Sequence, residues 1–169
     1  PQPLVPHAKA CRAKGLIRER IFVGTLRLRG FSIGDLPGVY DLACSTLSER
    51  YDPHLFTTIS ASWPEGFMVV ENQNGIRAFL LGVMTSSVHS RVLMLTVAPE
   101  LRRKGIGTML MERYLEESRR KGARVITLEV RKGNYAAMEF YRRFNLEPVD
   151  VIRGYYNDGE DAYQMQLFI

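Results

Sequence analysis

Residues 92–107 read VLMLTVAPELRRKGIG, an apolar run followed by a basic segment that contains two glycines. The apolar run, Val92–Val97, is typical of a buried strand. Residues 107–121 then place apolar side chains at helical spacing, which predicts a helix that ends at Gly122. A turn between a strand and a helix N-terminus leaves backbone N–H groups free beside the positive end of the helix dipole, so it favours a bound anion such as phosphate.

The spacing of the glycines excludes two common nucleotide-binding loops. A P-loop has its lysine directly after a glycine, whereas Lys104 precedes Gly105. The dinucleotide fingerprint needs three glycines after a first strand, and Val92–Val97 is the fourth strand that the sequence predicts. The segment is therefore an anion site of another kind, or an ordinary strand–loop–helix junction with solvated basic side chains.

Charge is distributed unevenly along the 169 residues. The net charge of +5 divides into +6 over residues 1–29, −4 over 30–101, +7 over 102–143 and −4 over 144–169. A uniformly basic nucleic-acid-binding protein does not have this pattern. A polyanionic ligand at the basic middle and a cationic ligand near the acidic stretches would fit it.

The length and composition indicate one globular domain with 46% hydrophobic and 24% charged residues. We assign residues 1–24 to a basic arm that we expect to be poorly ordered, and residues 25–169 to the domain. No apolar run approaches the roughly 18 residues of a membrane span. The two cysteines and three histidines have no metal-ligand spacing, and we expect no metal, no membrane contact and a reducing, cytoplasmic location.

Strands and helices alternate in the order β-α-α-β-β-β-α-β-α-β-β, which predicts an α/β fold of the α+β kind with helices on both faces of a mixed sheet. A hairpin turn is expected at Asn72–Gly75 between two antiparallel strands. The alternation in the second half favours parallel pairing there.

Three residues of the basic segment carry a family resemblance. Arg102, Gly105 and Gly107 resemble the Arg/Gln-x-x-Gly-x-Gly/Ala pyrophosphate loop of the GCN5-related N-acetyltransferases, the GNAT family. The stretch from Leu128 to Tyr141 is similar to that family's fifth strand and fourth helix, and the resemblance spans residues 25–168.

Two further segments narrow the resemblance to protein N-terminal acetyltransferases, with the archaeal catalytic subunit nearest. Residues 153–163, RGYYNDGEDAY, are similar to the last loop and strand of that group, and residues 47–51, LSERY, resemble its substrate loop. The resemblance implies a central, mostly antiparallel sheet of about seven strands with four helices. Its fourth and fifth strands, here Val92–Val97 and Val125–Val130, would splay apart.

The implied cosubstrate is acetyl-CoA, whose anionic end suits the basic middle of the chain. By resemblance, the residues that would bind it are Thr96, Val97, Arg102, Arg103, Lys104, Gly105, Ile106, Gly107, Thr108, Asn134 and Tyr141.

The implied chemistry is direct attack of an amine on the thioester within a ternary complex. Glu49 and Glu129 are the candidate bases, and Tyr141 is the candidate proton donor to the leaving thiolate. Arg91 stands where close archaeal relatives can carry a histidine base, and an arginine stays protonated. This difference favours Glu49 over a two-base scheme. Cys44 is expected on the buried face of its helix, so no nucleophile is indicated.

The implied acceptor is the N-terminal α-amino group of a protein or peptide, held by Glu49, Tyr51, Tyr155 and Tyr156. A ribosomal protein, an internal lysine or a small amine is an alternative acceptor, and a CoA-binding module without turnover is an alternative of another class. Members of this group can work at the ribosome or with an auxiliary subunit, and the sequence leaves both open. We expect no direct nucleic-acid partner.

Overall fold

An eight-stranded sheet organises the described part of the chain. The computed structural model describes residues 21–23 and 25–169. In chain order the strands are β1 (Ile21–Val23), β2 (Leu26–Gly30), β3 (Phe67–Asn72), β4 (Gly75–Ser86), β5 (His89–Val97), β6 (Val125–Arg131), β7 (Glu147–Ile152) and β8 (Ala162–Phe168). The α-helices are α1 (Leu36–Thr46), α2 (Pro53–Ser62), α3 (Ile106–Lys121) and α4 (Tyr135–Arg142).

The fold class expected from the sequence is confirmed. The spatial order of the strands is β1-β2-β3-β4-β5-β6-β8-β7, and the seven strands from β2 onward are those that the sequence predicts. The eighth, β1, pairs antiparallel with β2 and lies inside the segment assigned to the basic arm. The rest of that arm lies outside the described residues.

Parallel pairing is rarer than the alternation of elements suggested. Among the described strands, β5 and β6 form a parallel pair, whereas β8 lies between β6 and β7 and is antiparallel to both. Strands β6 and β7, which α4 connects, therefore run in the same direction. The parallel pair that this connection predicts is absent because β8 occupies the position next to β6.

The sheet separates two apolar cores. Helices α1 and α2 cover one face, where Phe56, Phe67 and Phe79 are fully buried. Helices α3 and α4 cover the other face, where Leu110 and Leu128 are buried. The central strand β4 contributes buried side chains to both cores, which explains why its sequence is apolar without alternation.

Local sequence signals set the ends of these elements. The side chain of Asp52 accepts a hydrogen bond from the His54 N–H at 2.9 Å and caps α2. Gly122 ends α3 in a left-handed conformation with φ of 96°. The expected hairpin turn joins β3 to β4, with Asn72 paired to Gly75.

A bulge in the pairing of β4 with β5 depends on a glycine. The register shifts between Leu81 and Gly82, so that Leu93 of β5 has no partner in β4. A Cβ atom at Gly82 would overlap the ring of Tyr114, which is fully buried on α3. The absence of a side chain at Gly82 therefore lets α3 pack directly on the bulged part of the sheet.

We expect Gly82→Ala to destabilise the fold by about 1–3 kcal/mol, because the added methyl group overpacks a core that has no room for it. The urea midpoint of unfolding measures this loss. Gly30→Ala is the matched control, because a Cβ atom there would have no neighbour within 4 Å. Equal midpoints for the two variants would contradict the close packing of Tyr114 on Gly82.

Candidate active site

Strands β5 and β6 separate part of the way along the sheet, at a point that we call the fork. Their last backbone pair is Val92 with Leu128. Beyond it, β5 remains paired with β4 as far as Val97, and β6 remains paired with β8 as far as Arg131. Both strands therefore continue while the backbone edges that face each other lose their partners.

A cavity of about 700 Å³ opens at the fork. Leu93, Met94 and Leu95 of β5 line one side of it, and residues of β6 and α4 line the other. Unpaired backbone donors and acceptors along such an edge need a partner, and an extended amide-bearing chain can supply one. The predicted splaying of these strands is confirmed.

The basic segment lies between the end of β5 and the start of α3. Arg103 and Gly105 have positive φ values of 61° and 82°, and Gly105 caps α3. None of the backbone N–H groups of residues 103–108 donates a hydrogen bond to another described residue. The turn thus offers several free donors at the positive end of a helix of 16 residues, with exposed Arg103 and Lys104 beside them.

Helix α4 packs against this turn. A Cβ atom at Gly107 would lie 3.4 Å from the ring of Phe140, so the two helices approach closely there. Arg102 points back to the strand, where its Nε donates to the Val97 carbonyl at 3.0 Å. The structure therefore brings Arg102, Gly105, Gly107 and their neighbours together as one surface.

The other predicted cofactor residues lie on both sides of the fork. Asn134 and Tyr141 line the cavity from α4, and the Asn134 side chain also caps that helix by accepting from the Ala137 N–H at 3.1 Å. Thr96 is different, because its side chain is buried and its hydroxyl donates to Thr46 on α1 at 2.7 Å. Leu93 and Leu95 of β5 line the cavity, and the sequence did not predict either of them as a site residue.

Arg131, at the end of β6, organises the part of the cavity that the α1–α2 and β7–β8 loops form. Its guanidinium contacts Glu49 and Ser48 of the α1–α2 loop, each at 2.7 Å. It also pairs with Asp158 at 2.8 Å and with Glu160 at 2.7 Å, both on the β7–β8 loop. One arginine thus joins two loops that are distant in sequence, and its three carboxylate partners leave a negative charge in this part of the cavity.

Glu49 is held in place from two directions. Asn157 donates to one carboxylate oxygen while Arg131 contacts the other. Its side chain is 16% exposed and lines the cavity. The lone pairs that these contacts leave free can accept a proton or a hydrogen bond from an amine.

Glu129 lies deeper and is paired with Arg91. The Arg91 Nε donates to a Glu129 oxygen at 2.9 Å, and the Glu129 side chain is only 7% exposed. Burial lowers the pKa of Arg91, but Glu129 and Tyr155 raise it by more, so it lies above the usual value. Arg91 therefore stays charged.

Tyrosines surround the cavity. The rings of Tyr155 and Tyr156 meet edge to face at 5.0 Å, and the Arg131 guanidinium lies 3.9 Å from the Tyr156 ring centre. Burial, followed by the effect of Tyr155, raises the pKa of Tyr156 to about 12. Burial likewise raises the pKa of Tyr141, and burial and the Glu49 carboxylate raise that of Tyr51. The hydroxyls of Tyr51, Tyr141 and Tyr156 therefore remain protonated near neutral pH.

The expected burial of Cys44 is wrong. Cys44 is exposed on α1 because it lies on the face of that helix that points away from the sheet. Cys11 lies outside the described residues. Within residues 21–23 and 25–169, no three His, Cys, Asp or Glu side chains are placed to share a metal ion, and each helix is too short or too polar to be a membrane span.

Comparison with known proteins places the chain in a family. The acetyltransferase (GNAT) family model matches residues 36–146. An N-alpha-acetyltransferase of Saccharolobus solfataricus is 31% identical over 150 residues, which cover 82% of this chain and 90% of that protein. The chain belongs to the GNAT acetyltransferase family.

Two solved structures resemble the fold closely. The crystal structure of Ard1 from Thermoplasma volcanium superposes with a TM-score of 0.82 and 31% identity, covering 86% of this chain and 99% of that one. Naa20 of Chaetomium thermophilum, solved in complex with a bisubstrate analogue, superposes with a TM-score of 0.77 and 29% identity. The match covers 84% of this chain and 86% of that one. The family resemblance that the basic segment carried is confirmed.

We expect Arg131→Met to raise the pKa of Glu160 more than that of Asp158. Arg131 is the largest cause of the lowered pKa of Glu160, whereas the Glu160 N–H is the largest cause for Asp158. A carboxyl group whose pKa is lowered in the folded state stabilises the fold at pH values above its unfolded-state pKa of about 4, and this stabilisation is lost as the pH falls through the folded-state pKa. The variant should therefore lose stability near neutral pH, and the loss should be smaller below about pH 3.

Carboxyl resonances followed by NMR titration measure both pKa values. Arg120→Met removes ion pairs of α3 with Glu116 and Glu117 and is the control. Unchanged titration of Glu160 in Arg131→Met would contradict the role of Arg131 as the common partner.

Proposed function

We propose that this protein transfers the acetyl group of acetyl-CoA to the N-terminal α-amino group of proteins or peptides. The observation that carries this proposal is the fork between β5 and β6, together with the free N–H groups of the turn before α3 and with Glu49 and its neighbouring tyrosines in the cavity. The names of the most similar relatives point to the same reaction. Acetyl-CoA supplies the activated thioester.

The residues present fit this cosubstrate. The free N–H groups of residues 103–108 and the basic side chains of Arg103 and Lys104 suit a pyrophosphate. A Cβ atom at Gly105 would meet nothing within 4 Å, so the turn is open to a ligand. The unpaired edge of β5 beyond Val92 offers backbone groups to an amide-bearing arm, and Asn134 offers a further polar contact from α4.

Glu49 is the proposed base. An α-amino group has a pKa of about 7.7–8.0, so a useful fraction is already neutral near pH 7 and a modest base suffices. The Glu49 carboxylate lines the cavity and can take the remaining proton directly or through water. Glu129 is the weaker candidate, because its side chain is 7% exposed against 16% for Glu49 and is therefore less accessible to an entering amine or a water molecule.

Tyr141 is the proposed partner of the leaving thiolate. It lines the cavity from α4, and its raised pKa keeps its hydroxyl protonated. A protonated hydroxyl can donate a hydrogen bond to the sulfur as negative charge develops there. Tyr51, Tyr155 and Tyr156 line the cavity together with Glu49, where an entering peptide N-terminus would be held.

The proposal is tested with two peptides of the same sequence. One has a free α-amine and no lysine, and the other has a blocked N-terminus and one internal lysine. With acetyl-CoA and mass spectrometry, we expect acetylation of the first and little of the second. Preferential acetylation of the blocked lysine peptide would show a different acceptor, and binding of acetyl-CoA without transfer to either would indicate a module without turnover.

We expect Glu49→Gln to lower kcat by about 10²–10⁴-fold, because the amide keeps the shape and cannot accept the proton. Glu116→Gln, on the exposed side of α3, is the control and should retain the wild-type rate. Steady-state kinetics over about pH 6–9 makes the comparison. A near wild-type rate for Glu49→Gln throughout would remove Glu49 from the mechanism and leave Glu129 as the candidate base.

A further inference from the structure

An ion pair spans the fork. Arg91 precedes Val92, the last residue of β5 that pairs with β6, and Glu129 follows its partner Leu128. The two side chains therefore connect β5 and β6 at the point where the backbone pairing ends. Two nitrogens of Arg91 contact the same Glu129 oxygen, at 2.9 and 2.7 Å.

The Glu129 partner of this ion pair is sheltered from solvent. The Glu129 side chain is 7% exposed and that of Arg91 is 32% exposed. Gln164 of β8 approaches the other Glu129 oxygen at 3.4 Å. Removing one partner of such a pair leaves the other charge poorly compensated, so the geometry of the pair is strongly constrained.

Arg91 also reaches the β7–β8 loop. Its Nη2, the nitrogen that lies 2.7 Å from Glu129, also donates to the Tyr155 hydroxyl at 3.0 Å. Tyr155 is 42% exposed, and its ring otherwise meets Tyr156 edge to face. The hydrogen bond from Arg91 therefore fixes the outer end of a side chain that would otherwise be free to change rotamer.

The loop is held at two separate points. Arg131 holds Tyr156, Asp158 and Glu160 from the end of β6. Arg91 holds Tyr155 from β5. Glu129 and Tyr155 line the cavity. Arg91 is not among the lining residues, but it donates a hydrogen bond to each of them.

We propose that Arg91 is a positioning residue for the acceptor peptide. It holds the Tyr155 hydroxyl so that the Tyr155 ring forms one wall of the acceptor end of the cavity, and Glu129 holds Arg91 in the orientation that reaches Tyr155. This proposal rests on the proposed function. It gives Arg91 a role at a position where it cannot act as a base.

The first test separates binding of the peptide from chemistry. We expect Arg91→Met and Tyr155→Phe each to raise the peptide KM several-fold to about tenfold, as for the loss of one hydrogen bond, with kcat and the acetyl-CoA KM little changed. Because both substitutions break the same contact, the double variant should be no worse than the more impaired single variant. Multiplied effects in the double variant, or a raised acetyl-CoA KM with an unchanged peptide KM, would overturn the proposal.

Arg91→Lys distinguishes positioning from a purely structural ion pair. A lysine can keep the charge contact with Glu129, but its ammonium lies one bond short of the Nη2 position that contacts both Glu129 and Tyr155. We expect the melting temperature of Arg91→Lys to lie closer to the wild-type value than that of Arg91→Met, while the peptide KM of Arg91→Lys stays raised. Recovery of both quantities together would overturn the assignment to Tyr155.

A readout independent of turnover keeps this proposal separate from the proposed function. The Tyr156 N–H donates to the Glu160 carbonyl at 3.1 Å, and the Gly159 N–H donates to the Tyr156 carbonyl at 2.8 Å. We expect hydrogen exchange of these amides to be faster in Arg91→Met and Tyr155→Phe, and unchanged in the control Arg120→Met. Unchanged exchange in both test variants would overturn the role of Arg91, whereas a wild-type protein that fails to acetylate α-amino peptides would overturn the proposed function alone.

Discussion

The separation of β5 from β6 is the constraint on which the rest of the structure depends. Each strand follows its outer neighbour, β4 or β8, and the two cannot also remain paired with each other beyond Val92 and Leu128. The bulge at Leu93 increases the divergence, and Gly82 makes room for it beneath Tyr114. A sheet that is split in this way has unpaired backbone groups in its interior, and these groups become binding groups for a ligand.

The charges are arranged around this opening in two groups. Free N–H groups, Arg103 and Lys104 lie at the start of α3, and an anion is favoured there. At the other end, Glu49, Asp158 and Glu160 share Arg131, so negative charge exceeds positive charge. A cosubstrate with an anionic end and an acceptor with a cationic amine would therefore approach from opposite sides and meet at the fork.

The sequence predicted what depends on neighbouring residues. The strand, turn and helix over residues 92–121, the Asn72–Gly75 hairpin and the split sheet all follow from local patterns or from the resemblance that those patterns carry. The contacts of Arg91 with Glu129 and of Arg131 with Glu49 were missed, because they depend on the register of strands and loops that are 38 and 82 residues apart. The excess of acidic residues over 144–169 was the available signal that these carboxylates would need a cationic partner from another part of the chain.

The central claim, that the fork and the turn before α3 together hold acetyl-CoA, is tested most directly by calorimetry on two glycine variants. Gly105 and Gly75 both have positive φ, of 82° and 95°, and a Cβ atom at either would meet nothing within 4 Å, so glutamate causes similar backbone strain at both positions. Only Gly105→Glu adds a negative charge where the pyrophosphate would bind. We predict that Gly105→Glu abolishes measurable acetyl-CoA binding while Gly75→Glu keeps wild-type affinity. Equal affinity in the two variants would contradict this account of the site.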